Sequence, residues 1–440
     1  MIEVLVNLNE DSVLELPKNL YYYKSNNELL IISPEQANWI SLFNENQILI
    51  FNYILKQKSI DYLFKKFNEK DVNFVLGQII DREFLKKEIK FSNNQDSLYI
   101  YLTNNCNLRC KHCYMYSGKP KINELDKEEW FKIIKNAANN GIKHITFTGG
   151  EILTYKYWYE VLNFTKKNNI TVTVLTNGTL WSEEDIKKCK DIVDEVQISL
   201  DGVDEKSNSI IRGECNFKKT LETIKQFVKI GIKTSVSTTP TLDNLFYIEE
   251  KYIDFVKSLL NELKSENLYF KIAQKLIPGR EIDLKEYKKN KEVYNKITGN
   301  LANMLYPNYS LLNFIKNTTP NIGLRNCGFG GLSISSDGKF YLCNRVEELE
   351  YIATKEQDFK EILQKAKYYE TITNVDYIIP CKSCEIRYIC GGGCRIDEFN
   401  FRGNHTILND EFCIIKKDCS LKYKEQLYKK MIESIRYIYC

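Results

Sequence analysis

The stretch from Leu98 to Tyr114, LYIYLTNNCNLRCKHCY, limits what this chain can become more than any other. Its first half, Leu98 to Leu102, is an apolar run of β-forming residues and predicts a strand. The strand leads into a loop carrying Cys106, Cys110 and Cys113 in a C-x3-C-x2-C spacing, with Tyr114 directly after. Three thiolates this close together can hold three irons of a [4Fe-4S] cube. No fourth cysteine lies nearby, so the fourth iron is left for an outside ligand. A zinc site and three unrelated cysteines are the alternatives. Structural zinc usually takes four protein ligands, and His112 has no partner at metal-ligand spacing.

Composition narrows the class. A chain of 440 residues can hold two or three domains, each with its own core. A net charge of +4 gives no case for nucleic acid or an anionic membrane surface. The opening MIEVLVNLNEDSV has early acids and no basic n-region, and no apolar run reaches a membrane span. The expectation is a cytoplasmic protein. In that reducing setting, 14 cysteines read as metal ligands rather than disulfides.

Residues 1–92 contain no cysteine and no histidine. Leu20–Tyr23 and Glu28–Ile32 flank a Lys-Ser-Asn-Asn turn and predict a hairpin. Three helical stretches are expected next. The first is expected to open at Ser33 as N-cap, with Pro34 at the first helical position and Gln36 completing a capping box. Ile48, Phe51 and Ile54 recur at helical spacing, as do Ile60, Leu63, Phe64 and Phe67, and Val72–Leu85 gives a further helix.

From 93 to 280 strands and helices alternate. The strand candidates are Leu98–Thr103, His144–Thr148, Thr171–Thr176, Val196–Leu200, Thr234–Thr238 and Leu268–Ile272, with helical patterns between them. Such alternation predicts an α/β fold with a parallel sheet. Strand ends carry the polar motifs: Gly149-Gly150-Glu151, Thr176-Asn177-Gly178, Ser199-Leu200-Asp201-Gly202 and, further on, Arg212. Paired glycines let backbone approach closely, a carboxylate accepts from an ammonium, and a guanidinium forks onto a carboxylate. Residues 281–326, after Pro278-Gly279-Arg280, read as a lysine- and tyrosine-rich bridge with a solvated face.

Residues 327–440 hold the second cysteine pattern: Cys327, Cys343, then Cys381, Cys384, Cys390, Cys394 and Cys413, with three glycines before Cys394. Four of these alone could make a zinc site, which leaves Cys327, Cys343 and Cys413 without a role. Cys189, Cys215, Cys440, His144 and His405 read as packing or surface residues.

Taken together, these motifs resemble those of radical SAM enzymes with a SPASM domain, and in particular the sactipeptide or thioether-type maturases of ribosomally made peptides (RiPPs). The resemblance implies a partial (β/α)6 barrel, an N-terminal winged-helix-like RiPP recognition element over 1–92, and a SPASM domain over 327–440. It implies three [4Fe-4S] clusters and S-adenosylmethionine (SAM). Cys106, Cys110 and Cys113 would hold the SAM-binding cluster and act catalytically. Gly149, Gly150 and Glu151 would meet the SAM amino group, Ser199 and Asp201 its ribose and methionine, and Arg212 its carboxylate, with Tyr114 and Asn177 beside them. Cys381, Cys384, Cys390 and Cys413 would hold a distal auxiliary cluster; Cys327, Cys343 and Cys394 a proximal one, short of one ligand unless Cys419 supplies it. The partners implied are a precursor peptide and an electron donor such as flavodoxin or ferredoxin, with no nucleic acid and no membrane. The expected reaction is thioether formation on that peptide. Carbon–carbon crosslinking and the cysteine or serine oxidation of sulfatase-maturing enzymes are the alternatives.

Overall fold

The computed structural model describes residues 11–92, 96–277, 279–379, 381–396 and 421–440. Its first unit is a meander of β1 (Tyr21–Ser25), β2 (Glu28–Ser33) and β3 (Asn38–Leu42), all antiparallel. Asn26, at φ 53°, makes the two-residue turn between β1 and β2, as Asn readily does. The helix expected from Ser33 does not form. Ser33 ends β2, Pro34–Gln36 is a single 3-10 turn, and Ala37 turns left-handed at φ 46°. The Ser33 side chain makes no cap. The Gln36 amide instead donates to the carbonyls of Leu85 and Lys87, and the apolar Trp39-Ile40 pair continues into β3. The helices Glu45–Leu55, Ile60–Lys66 and Glu69–Asp81 follow.

The two edges of this small sheet differ. Every residue of β3 is buried, and its outward backbone groups are taken by side chains. The Gln78 amide pairs with both N–H and C=O of Ser41, at 2.9 and 3.0 Å. Arg82 Nε donates to Trp39 O, and the Trp39 N–H donates to Asn38 Oδ1. The Phe43 N–H donates to Gln47 Oε1. β1 is largely exposed, with Tyr21 38% and Tyr22 48% accessible.

Nor is this sheet free-standing. Its second face, Leu30, Ile32 and Trp39, shares a core with Cys384, Ile386 and Ile389 and with Met431, Ile432 and Ile435 of the helix Leu421–Tyr439. Trp39 Nε1 donates to Met431 O at 3.1 Å. β4 (Lys90–Phe91) adds a further tie, pairing with a two-residue strand at Ile322–Gly323.

The main sheet starts with β5 (Ser97–Tyr101), β6 (His144–Thr148), β7 (Thr171–Thr176), β8 (Glu195–Ser199), β9 (Lys233–Thr238) and β10 (Leu268–Ile272). All six are parallel and sequential neighbours are paired, giving the expected α/β partial barrel. Its core is Leu98, Ile100, Phe147, Val174, Ile198 and Val236 under the apolar faces of the covering helices, with Trp130 and Phe227 fully buried. The helix Lys127–Asn139 opens with a capping box between Asp126 and Glu129. A helix the sequence pattern did not suggest, Glu205–Arg212, has its own box between Asp204 and Ser207 and ends at Gly213, φ 85°.

The sheet does not stop at β5. β11 (Ile322–Gly323) precedes β12 (Leu332–Ile334), which pairs parallel with β5, and β13 (Lys339–Tyr341) and β14 (Ala353–Thr354) extend it antiparallel. The cysteine-rich region therefore closes the barrel edge that β5 would otherwise expose. The bridge is two helices, Leu284–Leu305 and Tyr309–Asn317, the first anchored by Tyr294 Oη donating to the carbonyl of Pro240. Among the described residues no helix is long and apolar enough to cross a membrane.

Candidate cluster and SAM site

The three-cysteine loop leaves the C-terminal end of β5, where barrels of this kind carry their chemistry. Its backbone is tied on all sides. Cys106 N–H donates to Gly118 O at 3.0 Å, and Gly118 N–H to Asn104 O at 2.9 Å. Glu124 receives Thr103 Oγ1 and the Asn104 N–H. Gly150 and Glu151 donate backbone N–H groups to Thr103 O and Asn105 O at 2.7 and 2.8 Å. The glycine pair is required by this neighbour: a Cβ on Gly149 would sit 2.4 Å from Thr103 O, and one on Gly150 2.0 Å from Asn105 O.

Donors converge on the sulfurs. Leu108 N–H points at Cys106 Sγ at 3.4 Å, Asn177 Nδ2 at the same sulfur at 3.9 Å, and Arg212 Nη1 at Cys110 Sγ at 3.8 Å. Such a shell suits thiolates that carry charge, and so fits a metal cluster. Burial pushes the Cys106 thiol up to about 11 and the Cys110 thiol in the same direction, so ionisation here depends on a bound cation.

The other expected residues line the same rim. Glu151 is fully buried; its carboxylate accepts from Thr176 Oγ1 and the Asn177 N–H, both at 2.7 Å. Asn177 also donates to Asn107 Oδ1 at 2.9 Å. Ser199 ends β8, half-buried. Asp201, fully buried, accepts from His112 Nε2 at 2.7 Å, Arg212 Nε at 2.5 Å and the Thr239 N–H at 2.7 Å. Burial alone raises a carboxyl pKa, but Arg212 and His112 outweigh it and hold Asp201 at about 2. The Tyr114 hydroxyl lies 3.1 Å from that of Tyr101, which donates to Asn344 O beside Cys343.

Sequence reasoning missed one strap. Arg280 Nη1 donates to Cys110 O and Nη2 to Ser117 O, at 3.1 and 2.5 Å. The backbone N–H groups of Arg280 and Glu281 donate to Cys113 O and Lys111 O. A Cβ on Gly279 would lie 2.4 Å from His112 O. The Gly-Arg pair after the last barrel strand was the available signal.

In the second cysteine region the Cys384 N–H donates to Cys381 O, and Cys390 ends the short helix Arg387–Cys390. Arg345 Nη1 lies 3.9 Å from Cys394 Sγ. Arg395, with no exposed surface, donates to the carbonyls of Gly391, Gly393, Thr373 and Arg325, which locks the triple-glycine turn. Burial pushes the Cys343 thiol up to about 11. Cys327 is exposed. Cys413, Cys419 and His405 lie outside the described residues. Cys189 belongs to the barrel core, and Cys215 and Cys440 are exposed.

Comparison with known proteins agrees with this geometry. Residues 100–256 match the radical SAM superfamily. The chain is 31% identical over 186 residues to the sporulation killing factor maturation protein SkfB of Bacillus subtilis, spanning 42% of this chain and 43% of that protein, so less than half of that relative is matched. It is 31% identical over 289 residues to the protein MJ0907 of Methanocaldococcus jannaschii, spanning 61% of this chain and 92% of that one. Streptococcus suis SuiB, solved bound to the precursor peptide SuiA, superposes at a TM-score of 0.51 with 17% identity, covering 87% of this chain and 96% of SuiB, a likeness of fold. With its three-cysteine loop at the head of a six-stranded parallel barrel, the chain belongs to the radical SAM superfamily.

Proposed function

We propose that this protein is a peptide maturase that joins a cysteine sulfur to a carbon of a ribosomally made precursor. The observation that carries the reading is the small sheet with one edge sealed and the other, β1, paired on one side only among the described residues, packed onto the cysteine-rich region beside a radical SAM barrel. SkfB is by name a maturation protein, and SuiB shares the fold and was solved with a precursor peptide. Both support a peptide substrate.

Residues 1–92 would serve as the recognition element. β3 has its outward groups occupied by Gln78, Arg82, Asn38 and Gln47, so an added strand would pair with β1. Cys106, Cys110 and Cys113 would hold the SAM-binding cluster. Gly149, Gly150, Glu151, Asn177, Ser199 and Arg212 would shape the SAM pocket, and Arg280 would hold the loop shut from the far side. Cys327, Cys343, Cys381, Cys384, Cys390, Cys394 and Cys413 would hold two auxiliary clusters, and a small flavodoxin- or ferredoxin-type protein in the cytoplasm would deliver electrons. When bound, these groups supply an electron, a 5′-deoxyadenosyl radical that takes a hydrogen atom from carbon, and an acceptor for the electron released as the new bond forms.

The test uses anaerobically reconstituted enzyme, SAM, dithionite and the precursor peptide. Thioether formation removes a hydrogen pair per 5′-deoxyadenosine and leaves one cysteine that iodoacetamide no longer alkylates. The same mass loss with every thiol still alkylatable means carbon–carbon crosslinking. A hydrazide-reactive product means oxidation of the sulfatase-maturing kind.

A further inference from the structure

Asp201 stands at the centre of an arrangement that reaches beyond the SAM contacts implied for it. It follows β8, has no exposed surface, and is held through backbone and side chain together. Its N–H donates to Asn208 Oδ1 at 3.1 Å, and its carbonyl accepts from Asn244 Nδ2 at 2.7 Å. Its carboxylate accepts from three donors on three separate elements. His112 comes from the loop between Cys110 and Cys113, Arg212 from the end of the helix Glu205–Arg212, and Thr239 from the end of β9. The same Arg212 reaches on to Cys110 Sγ at 3.8 Å. A carboxylate has about four acceptor sites, and here the chain itself fills three.

We propose that Asp201 is a positioning residue for the cluster loop: through His112 it pins the segment between the second and third cysteines, and through Arg212 it holds a cation against the Cys110 sulfur. This does not depend on what substrate the enzyme modifies. The family resemblance gives Asp201 to SAM; the geometry gives its oxygens to the loop. The two assignments part experimentally. A group that touches SAM sets the KM for SAM. A group that places a cation beside a cluster sulfur sets the cluster's redox potential, because that cation favours the more negative, reduced form. The negative charge of Asp201 offsets part of that cation.

The experiment compares wild type with Asp201→Asn and His112→Gln, each reconstituted anaerobically, with SAM as the probe. Three quantities are read: iron and sulfide per chain, kcat and KM for 5′-deoxyadenosine release with dithionite, and the potential of the paramagnetic signal that changes when SAM is added. Asn keeps an oxygen that can accept from Arg212 but loses the charge that offsets it, so the expected result for Asp201→Asn is full iron, a KM for SAM within about twofold, a kcat lower by about tenfold, and a more positive potential. His112→Gln leaves the Asp201–Arg212 pair in place, and should alter the g values of the same signal and lower kcat by a smaller factor. A tenfold rise in KM at wild-type potential would overturn the proposal and return Asp201 to the SAM pocket. A His112→Gln enzyme matching wild type in all three quantities would also overturn it. If Asp201→Asn fails to take up iron, the His112→Gln result decides alone, by the same two criteria.

Discussion

Replacing Gly150 by alanine should disable the cluster loop without unfolding the barrel. The new Cβ would lie 2.0 Å from the carbonyl oxygen of Asn105, 2.5 Å from its carbonyl carbon and 2.8 Å from Asn104 O. All three are backbone atoms, so no side-chain rotation relieves the clash. Restoring an ordinary contact of about 3.4 Å requires the loop or the glycine turn to move by about 1.4 Å. Two hydrogen bonds span this junction, Gly150 N–H to Thr103 O and Glu151 N–H to Asn105 O, and both lengthen with the shift. Overpacking of this kind costs about 1–3 kcal/mol of stability. The next residue after Asn105 is Cys106, so the displacement falls directly on a cluster ligand. A misplacement of about 1 Å near reacting groups can cost about 100-fold in rate, or about 2.7 kcal/mol of barrier. The assay is anaerobic 5′-deoxyadenosine release, with iron content and thermal unfolding on the same sample. Full iron together with a wild-type rate would refute the reasoning, since the loop would then be indifferent to the turn beneath it.

Gly299, inside the helix Leu284–Leu305, has open space where a Cβ would stand, with nothing within 4 Å, so Gly299→Ala should stabilise by up to about 1 kcal/mol and raise Tm with activity unchanged. Trp39→Ala removes a side chain that is 1% exposed, with Arg82 stacked 4.3 Å over its ring; it should cost about 3–5 kcal/mol and, in limited proteolysis, release the helix Leu421–Tyr439 first. Asp337 is held down at about 2: burial opposes this, but Ser335, Lys339 and Lys121 outweigh it. A depressed carboxyl stabilises the fold above its unfolded pKa and loses that contribution as pH falls through the folded value. Asp337→Asn should therefore be less stable than wild type by under about 1 kcal/mol above pH ~5, the gap closing toward pH ~2 in denaturant titrations, because the group is partly solvated.

The barrel was legible because its signals are local. Short β-forming runs of five or six residues, the first four followed by a motif, place β5 to β10 to within a residue or two, and the cysteine spacing places the loop on the right end of β5. The Ser33-Pro34-Glu35-Gln36 signature misled because the capping box it suggests never forms: the Ser33 side chain makes no cap, and the Gln36 amide is taken by the carbonyls of Leu85 and Lys87. Ala37 in the left-handed region and the buried Trp39 decide in favour of a strand, and that decision is tertiary. The motif glycines were legible as a place where backbone comes close, but not as to what approaches; the neighbour is the cysteine loop itself. His112 looked partnerless because Asp201 is 89 residues away in sequence. The strap at Arg280 and the pairing of β12 with β5 were hidden for the same reason: no local pattern records which distant backbone a residue will meet.

The core shared by Trp39 and Met431 has a consequence for biosynthesis. The two residues are 392 positions apart in the chain. At roughly 5–20 residues per second on the ribosome, Leu30, Ile32 and Trp39 wait roughly 20–80 seconds for the helix that covers them. During that interval the β1–β3 meander is half-clothed, its apolar second face open to chaperones or to another nascent chain. Cys384 lies in the same core as that helix and the sheet face it covers. Sealing of the first sheet and assembly of the second cysteine region are therefore one late folding event, and an error in either should be felt by both.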